Sequence, residues 1–256
     1  MKKVEQKNIV VMTATITPPP GVLLLARADP AVRLNDYRSA LEFYISLLGR
    51  SVDGIVFADN SNSNVGVLRD LVREAGVEDR VEFLVFDDLD YAPELGRAYG
   101  ELRLLEYVMD HSETIREAGP DCVVWKATGR YKVRNLISMI RRRPATFDVY
   151  CDMRNQKAPW CDMRVMAWTP SGYDAVLRGL HEGLLGPPDS NLVGEQQLYD
   201  LLTPRLGNGK VVASYTVEPL IDGHRGWDNK QWGLGRQRAV YYLRSSQRRL
   251  LGKVLI

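Results

Sequence analysis

The sequence predicts an α/β protein: a mostly parallel sheet flanked by helices, then an irregular second half and a terminal basic amphipathic helix. Three observations carry that expectation. Short β-branched runs alternate with amphipathic helical stretches from residue 8 to about 150, the pattern of successive βαβ units. The runs end in Pro/Gly-rich or strongly polar turns. No stretch reads as a linker, so residues 1–256 form one domain, with a ligand-binding half over 8–150, a second half over 151–235 and a terminal helix over 236–256.

Asn8 to Ile16 is a β-branched strand that stops at Pro18-Pro19-Pro20-Gly21. Asn35 to Leu48 has Leu41, Ile45 and Leu48 on one face behind an Asn/Asp start, which is a capped helix. Val52 to Ala58 is a second strand, closed by the polar run Asp59 to Asn64. Val65 to Ala75 is helical, Val81 to Phe86 is a strand, and Asp87, Asp88 and Asp90 make the next loop acidic. Arg97 to Met109 places Ala98, Leu102, Leu105 and Met109 on one helical face. Strands are expected at Cys122–Trp125, Phe147–Cys151, Arg164–Trp168 and Val211–Val217, and helices at Val133–Arg142, Ser171–Leu180 and Glu195–Leu202. The tetrapeptide CDMR at Cys151 and again at Cys161 is too closely spaced for a structural repeat and reads as coincidence or a hairpin pair.

Composition excludes several classes. The chain is 45% hydrophobic and 26% charged, ordinary for a soluble protein, and its net charge of +2 gives no general case for a nucleic-acid partner. Charge is uneven, because Asn229 to Ile256 holds seven basic residues and no acidic one. Three cysteines without a C-x-x-C pair supply neither a disulfide framework nor a zinc motif, and point to a reducing, cytoplasmic compartment. The first residues lack the apolar run of a signal peptide. No G-x-G-x-x-G, phosphate-binding P-loop or G-x-S-x-G motif is present, against dinucleotide oxidoreductases, P-loop NTPases and serine hydrolases.

The most informative stretch is Asp121 to Asn135, DCVVWKATGRYKVRN. An apolar strand delivers Lys126, Gly129, Arg130, Tyr131 and Lys132 to its carboxyl end, where open α/β sheets bind ligands. Cations around a glycine suit a phosphate-bearing ligand, and a surface turn with scattered basic residues is the alternative.

GIVFADNSNSN, GRAYGELRLLEYVM and KATGRYKVRN resemble segments of bacterial polysaccharide and O-antigen glycosyltransferases of the GT-A type, with a Rossmann-like sheet. The likeness covers roughly residues 8 to 135, with a weaker echo at LVGEQQLYDLL. It implies transfer of a sugar from a nucleotide-sugar donor to a saccharide or lipid-linked acceptor. By that resemblance Asp59, Asn60 and Ser61 contact the nucleoside, with Thr13 and Thr15 beside them. GT-A enzymes usually hold a divalent metal on an Asp-x-Asp after the central strand. Here Lys126-Ala127-Thr128-Gly129-Arg130 stand there, so fixed cations are expected to replace the metal and no cofactor is required. The competing reading places Mg²⁺ or Mn²⁺ on Asp88 and Asp90. Arg97 and Tyr99, opening a helix, are candidates for a donor phosphate.

Glu195, opening a helix after Gly194, is the candidate general base for inverting transfer, with Asp152 and Asp162 as weaker alternatives. A helix start favours the ionised carboxylate and lowers its basicity. Trp160 and Arg164 are candidates for the acceptor sugar; a Trp filling a core gap is the alternative. In residues 236–256, Val240, Leu243, Leu250, Leu251 and Val254 share a face opposite Arg238, Arg249 and Lys253. Such a helix lies on a membrane surface, or packs its apolar side on the domain or on a second subunit of a homo-oligomer. A nucleotidyltransferase and a non-catalytic nucleotide-binding module are the other functions weighed.

Overall fold

The computed structural model describes residues 6–22, 25–92, 95–154, 159–184, 193–208, 210–232 and 235–251. The first half runs β1 (Asn8–Ala14), α1 (Pro30–Ile45), β2 (Gly54–Asp59), α2 (Gly66–Glu74), β3 (Val81–Val85), α3 (Gly96–His111), α4 (Glu113–Ala118) and β4 (Val123–Thr128). The second half contains β5 (Lys132–Val133), α5 (Leu136–Arg141), β6 (Val149–Tyr150), β7 (Met153–Arg154), β8 (Trp160–Cys161), β9 (Val165–Trp168) and a one-turn α6 (Pro170–Gly172). It closes with α7 (Val193–Leu202), β10 (Val211–Val212), β11 (Ile221–His224), β12 (Gln231–Trp232) and α8 (Arg236–Leu251). Seven strands form the central sheet in the order β10-β6-β9-β4-β1-β2-β3. β4, β1, β2 and β3 are mutually parallel, and β10 is parallel to β6. β9 runs antiparallel between β4 and β6. The architecture is therefore the mostly parallel sheet flanked by helices that the sequence predicts.

Period-two alternation sorts β1 and β4 onto two cores. Val10 and Met12, with Val123, Trp125 and Ala127, face Tyr37, Leu41 and Tyr44 of α1. Ile9, Val11 and Val124 face Leu102, Leu105 and Val108 of α3. The same alternation puts Thr13 and Lys126 on the α3 side. A buried lysine there must find a carboxylate on α3, because removing an ammonium from water costs several kcal/mol unless it is paired.

Several local expectations change. α1 begins at Pro30 because the Asp29 side chain accepts the Val32 N–H at 2.9 Å and Pro30 fits the first turn. The stretch read as one helix from Val133 divides. Val133 pairs in register with Ile221 of β11, while the Asn135 amide donates to Glu218 O at 2.9 Å and accepts from Leu220 N at 2.8 Å. That ties the loop before β11 to the start of α5. The helix expected over Ser171–Leu180 becomes the α6 turn and a five-residue π turn at Tyr173–Leu177, stopped by Gly179 at φ 71°. The CDMR pair is a hairpin: Met153 in β7 is paired with Cys161 in β8.

In the terminal helix the described side chains turn Leu243 outward and Arg248 toward the domain. Arg248 points inward and is buried; its Nε donates to Glu218 at 2.6 Å, one Nη to Asp152 at 2.6 Å and the other to Ser214 Oγ at 2.9 Å. Tyr242 and Leu243 face outward, 55% and 60% exposed. Among its described side chains, α8 meets the domain through Arg244 and Arg248. The side chains of Arg249, Leu250 and Leu251, and residues Lys253 and Val254, lie outside what is described. Among the described residues no helix is long and apolar enough to cross a membrane.

Candidate active site

The candidate site lies at the carboxyl ends of β1, β2 and β4, between the amino-terminal turns of α3 and α7 and the β11–β12 hairpin. Backbone contacts shape its floor. Gly129 N–H donates to Thr13 O at 2.9 Å, and a Cβ on Gly129 would sit 2.6 Å from that oxygen. Only glycine lets the turn after β4 approach β1 this closely. Gly194 has the same task between helices, since a Cβ there would lie 2.2 Å from the Ala98 Cβ. That contact seats the first turn of α7 on the first turn of α3 and brings Glu195 to Arg97.

Glu195 is the carboxylate that this arrangement perturbs. Burial raises its pKa from 4.5 to about 7, with Arg97 pulling it down and Glu101 and Asp162 pushing it up. The expectation that the helix start lowers its basicity is corrected: removal from water outweighs the helix dipole. A carboxyl group with a midpoint near 7 suits proton transfer at neutral pH.

Arg97 and Arg130 supply positive charge at the same place. The nearest Nη atoms of Arg130 and Arg97 lie 3.0 and 3.7 Å from where a Cβ on Gly226 would stand, so both guanidinium groups converge under the hairpin turn. Arg130 donates to His224 O at 2.8 Å, and its Nε is buried with no hydrogen-bond partner among the described residues. Leaving a buried donor unsatisfied costs about 1–3 kcal/mol. The hairpin is tied down by Arg27, whose N–H donates to Gly226 O at 3.0 Å and whose guanidinium spans Asp36 and Asn229. Arg33, buried, holds the loop beneath by donating to Thr15 O at 2.7 Å and Arg27 O at 3.0 Å.

Other predicted ligands have structural work instead. Lys126 is fully buried; its ammonium pairs with Glu101 at 2.6 Å, donates to Thr128 Oγ1 at 3.2 Å and bonds to Met163 O. All three N–H groups are engaged, which corrects its placement on a donor phosphate. Thr13 belongs to the same cluster and donates to Glu101 at 2.8 Å. Glu101, in the second turn of α3, is thus the carboxylate that the buried lysine of β4 requires. Asp59 is fully buried and accepts from Ile16 N at 2.8 Å, Ser61 Oγ at 2.9 Å and Ser63 N at 3.1 Å. It organises the loop after β2 and shows no oxygen to a nucleoside, which corrects its role. Asn60 accepts from Thr15 Oγ1 at 2.7 Å, and Ser61 Oγ accepts from Thr17 N at 3.0 Å, so Asn60, Ser61 and Thr15 form the wall around it. Tyr131 is a core residue whose carbonyl accepts from the Tyr44 hydroxyl at 2.8 Å, a correction of its place among the ligands. The Tyr99 ring packs against Tyr91 and His181, with centroids 5.1 and 5.5 Å away.

Asp152 and Asp162 are corrected as bases. Asp152 is clamped by Arg154 at 2.5 Å and Arg248 at 2.6 Å. Burial pushes Asp162 up, but Arg164 and Arg154 hold it at about 2, too weak a base for the task. Arg164 donates to both Asp162 oxygens, at 2.8 and 2.5 Å, and lies 4.4 Å from the centroid of the Trp232 ring and 6.0 Å from that of Trp160. Trp160 and Arg164 therefore meet in one aromatic–cation stack, joined by Trp232, which sequence reading missed. Arg103 bonds to Asp88 and lies 3.4 Å from Asp90, so a divalent cation on this pair would compete with a guanidinium already in place.

No known family model matches the chain, and neither does any curated protein. Solved structures of similar outline exist at low identity. One is assigned as a nucleotide-diphospho-sugar transferase of Desulfovibrio desulfuricans G20, 11% identical over 80% of this chain and 78% of that one, with a TM-score of 0.43. Another is a 4-diphosphocytidyl-2C-methyl-D-erythritol synthase, 12% identical over 94% and 98%, with a TM-score of 0.39. A third is the bifunctional glycosyltransferase WbbM, 10% identical over 81% of this chain and 38% of that chain, with a TM-score of 0.44. Similarities this distant carry no argument about activity.

Proposed function

We propose that the protein is a GT-A-like glycosyltransferase that moves a sugar from a nucleotide-sugar donor to a saccharide or lipid-linked acceptor with inversion. The observation that carries this is an arrangement at the carboxyl end of the sheet: Glu195, its carboxyl raised to about 7, stands beside Arg97, whose guanidinium converges under the hairpin turn with that of Arg130, which has a buried N–H without a hydrogen-bond partner among the described residues. Glu195 takes the proton of the acceptor hydroxyl as its oxygen attacks the anomeric carbon. The bond from that carbon to the donor phosphate breaks, and the leaving nucleoside diphosphate is met by Arg97 and Arg130 in place of a metal. The stack of Trp160, Arg164 and Trp232 supplies aromatic faces for an acceptor sugar. A lipid-linked acceptor would place the protein at the inner face of a membrane, and the outward Tyr242 and Leu243 of α8 support that placement.

Thermal shift with UDP, GDP, CMP, dTDP and their sugars tests the reading, in EDTA and in Mn²⁺. A nucleotide at 100 times its Kd raises stability by about 2.7 kcal/mol. The expected result is a selective shift that survives EDTA and is lost in Arg130→Ala, with sugar transfer lost in Glu195→Gln. Stabilisation by no nucleotide, or full transfer by Arg130→Ala, rules it out.

A further inference from the structure

We infer that the cleft between the carboxyl end of α1 and α5 is a second ligand site, built for a multiply charged phosphate group. The cleft has a volume of about 530 Å³ and is lined by Arg50, Arg134, Arg141 and Arg142, with Phe43 and Ser138 among its other walls and no carboxylate. That volume lies within the range of small-molecule sites. Arg134 is partly neutralised by Asp222, whose oxygen lies 3.0 Å from its Nε, and it lies over the Phe43 ring at 5.3 Å. The guanidinium groups of Arg50, Arg141 and Arg142 make no hydrogen bond or ion pair with the described residues. Like charges gathered in one concavity repel one another, and the cleft focuses their field on whatever enters. Guanidinium forks match phosphate oxygens two at a time, so a di- or triphosphate uses several of them together.

The cleft is separate from the candidate active site. Leu48, after α1, bridges to Val52 just ahead of β2, whereas Asp59 closes that strand at its opposite, carboxyl end. Arg143, next to Arg142, donates to Gln6 at 2.7 Å, just ahead of β1. The basic cleft therefore sits toward the amino ends of the strands, and its occupation does not depend on the proposed glycosyl transfer. Two sources carry the required chemistry, a free polyphosphate and the headgroups of an anionic lipid surface.

Calorimetric titration of the full chain with inorganic tripolyphosphate tests the site. Beside it runs co-sedimentation with vesicles of phosphatidylcholine containing phosphatidylglycerol. Arg50→Ala/Arg142→Ala removes two exposed, unpaired side chains and is expected to keep the wild-type thermal midpoint. It should weaken binding at least tenfold, while Arg73→Ala/Arg116→Ala, elsewhere on the surface, changes nothing. Loss of tripolyphosphate binding assigns a soluble phosphate, and loss of vesicle binding alone assigns a lipid headgroup. If neither probe binds, the inference is overturned. Binding that Arg130→Ala abolishes and the Arg50/Arg142 pair leaves intact overturns it as well.

Discussion

Replacing Glu195 with Gln should make the protein more stable at high pH, and by an amount that depends on pH. The folded state holds the Glu195 carboxyl at about 7 against an ordinary 4.5, so folding favours its protonated form. Its contribution to stability is fully present below 4.5 and is lost as pH rises through about 7. At about 1.4 kcal/mol per pH unit, that interval sets a ceiling of about 3 kcal/mol. The residue is not fully enclosed, and solvent screening brings the expectation to about 1–2 kcal/mol. Gln has the shape of the neutral acid and does not titrate. Urea unfolding of both proteins, followed by tryptophan fluorescence at pH 5 and pH 8, gives the difference directly. The advantage of Gln should be small at pH 5 and grow by about 1–2 kcal/mol at pH 8. A difference constant to within about 0.5 kcal/mol across that range would refute the account of a buried, perturbed carboxyl. Under the proposed function the same group predicts that transfer rises with pH through about 7 and that the Gln variant shows no such rise.

Arg248→Ala leaves Asp152 and Glu218 buried beside one fewer cation, and breaking such a pair typically costs about 3–5 kcal/mol. Urea unfolding should show that loss, whereas Arg238→Ala, on the exposed side of α8, should stay within about 0.5 kcal/mol of wild type. Gly129→Ala places a methyl group 2.6 Å from Thr13 O, so the chain must shift at the floor of the site. A loss of about 1–3 kcal/mol is expected in the same assay, and wild-type stability would mean the turn moves freely.

How much of this was legible in the sequence varies with the range of the interaction. The alternation of β-branched runs with amphipathic helices placed β1 to β4, α2 and α3 to within a few residues and α1 with a late start, because strand and helix periods are local properties of the chain, whereas the short α4 carried too little periodicity to be read. Arg97, Arg130 and Glu195 were singled out as residues, and the glycine beside the cations was noted. Their convergence was not readable, since it depends on Gly194 packing against Ala98 and on the hairpin turn at Gly226, both distant in sequence. Lys126 shows the limit most clearly. Its place on an apolar strand was plain, and period-two alternation after Trp125 puts it on the face of α3, where Glu101 offers a carboxylate. The sequence signal existed, but choosing between that partner and a ligand phosphate required knowing that Thr13, Met163 and Glu101 surround the ammonium.

Sequence alone determined the layered α/β class, the carboxyl-end placement of the basic turn after β4 and the cation-rich terminal segment. These follow from hydrophobic period, turn chemistry and net charge, which are properties of neighbouring residues. Tertiary structure alone decided which charged groups are spent on the fold and which remain for chemistry. Lys126, Asp59, Asp152, Asp162 and Arg248 are consumed by buried partners, while Glu195 is removed from water strongly enough that Arg97 beside it does not restore its ordinary acidity, and Arg130 keeps a buried N–H without a partner among the described residues. Burial and pairing are set by segments far apart in the chain, and they change the free energy of a charge by several kcal/mol.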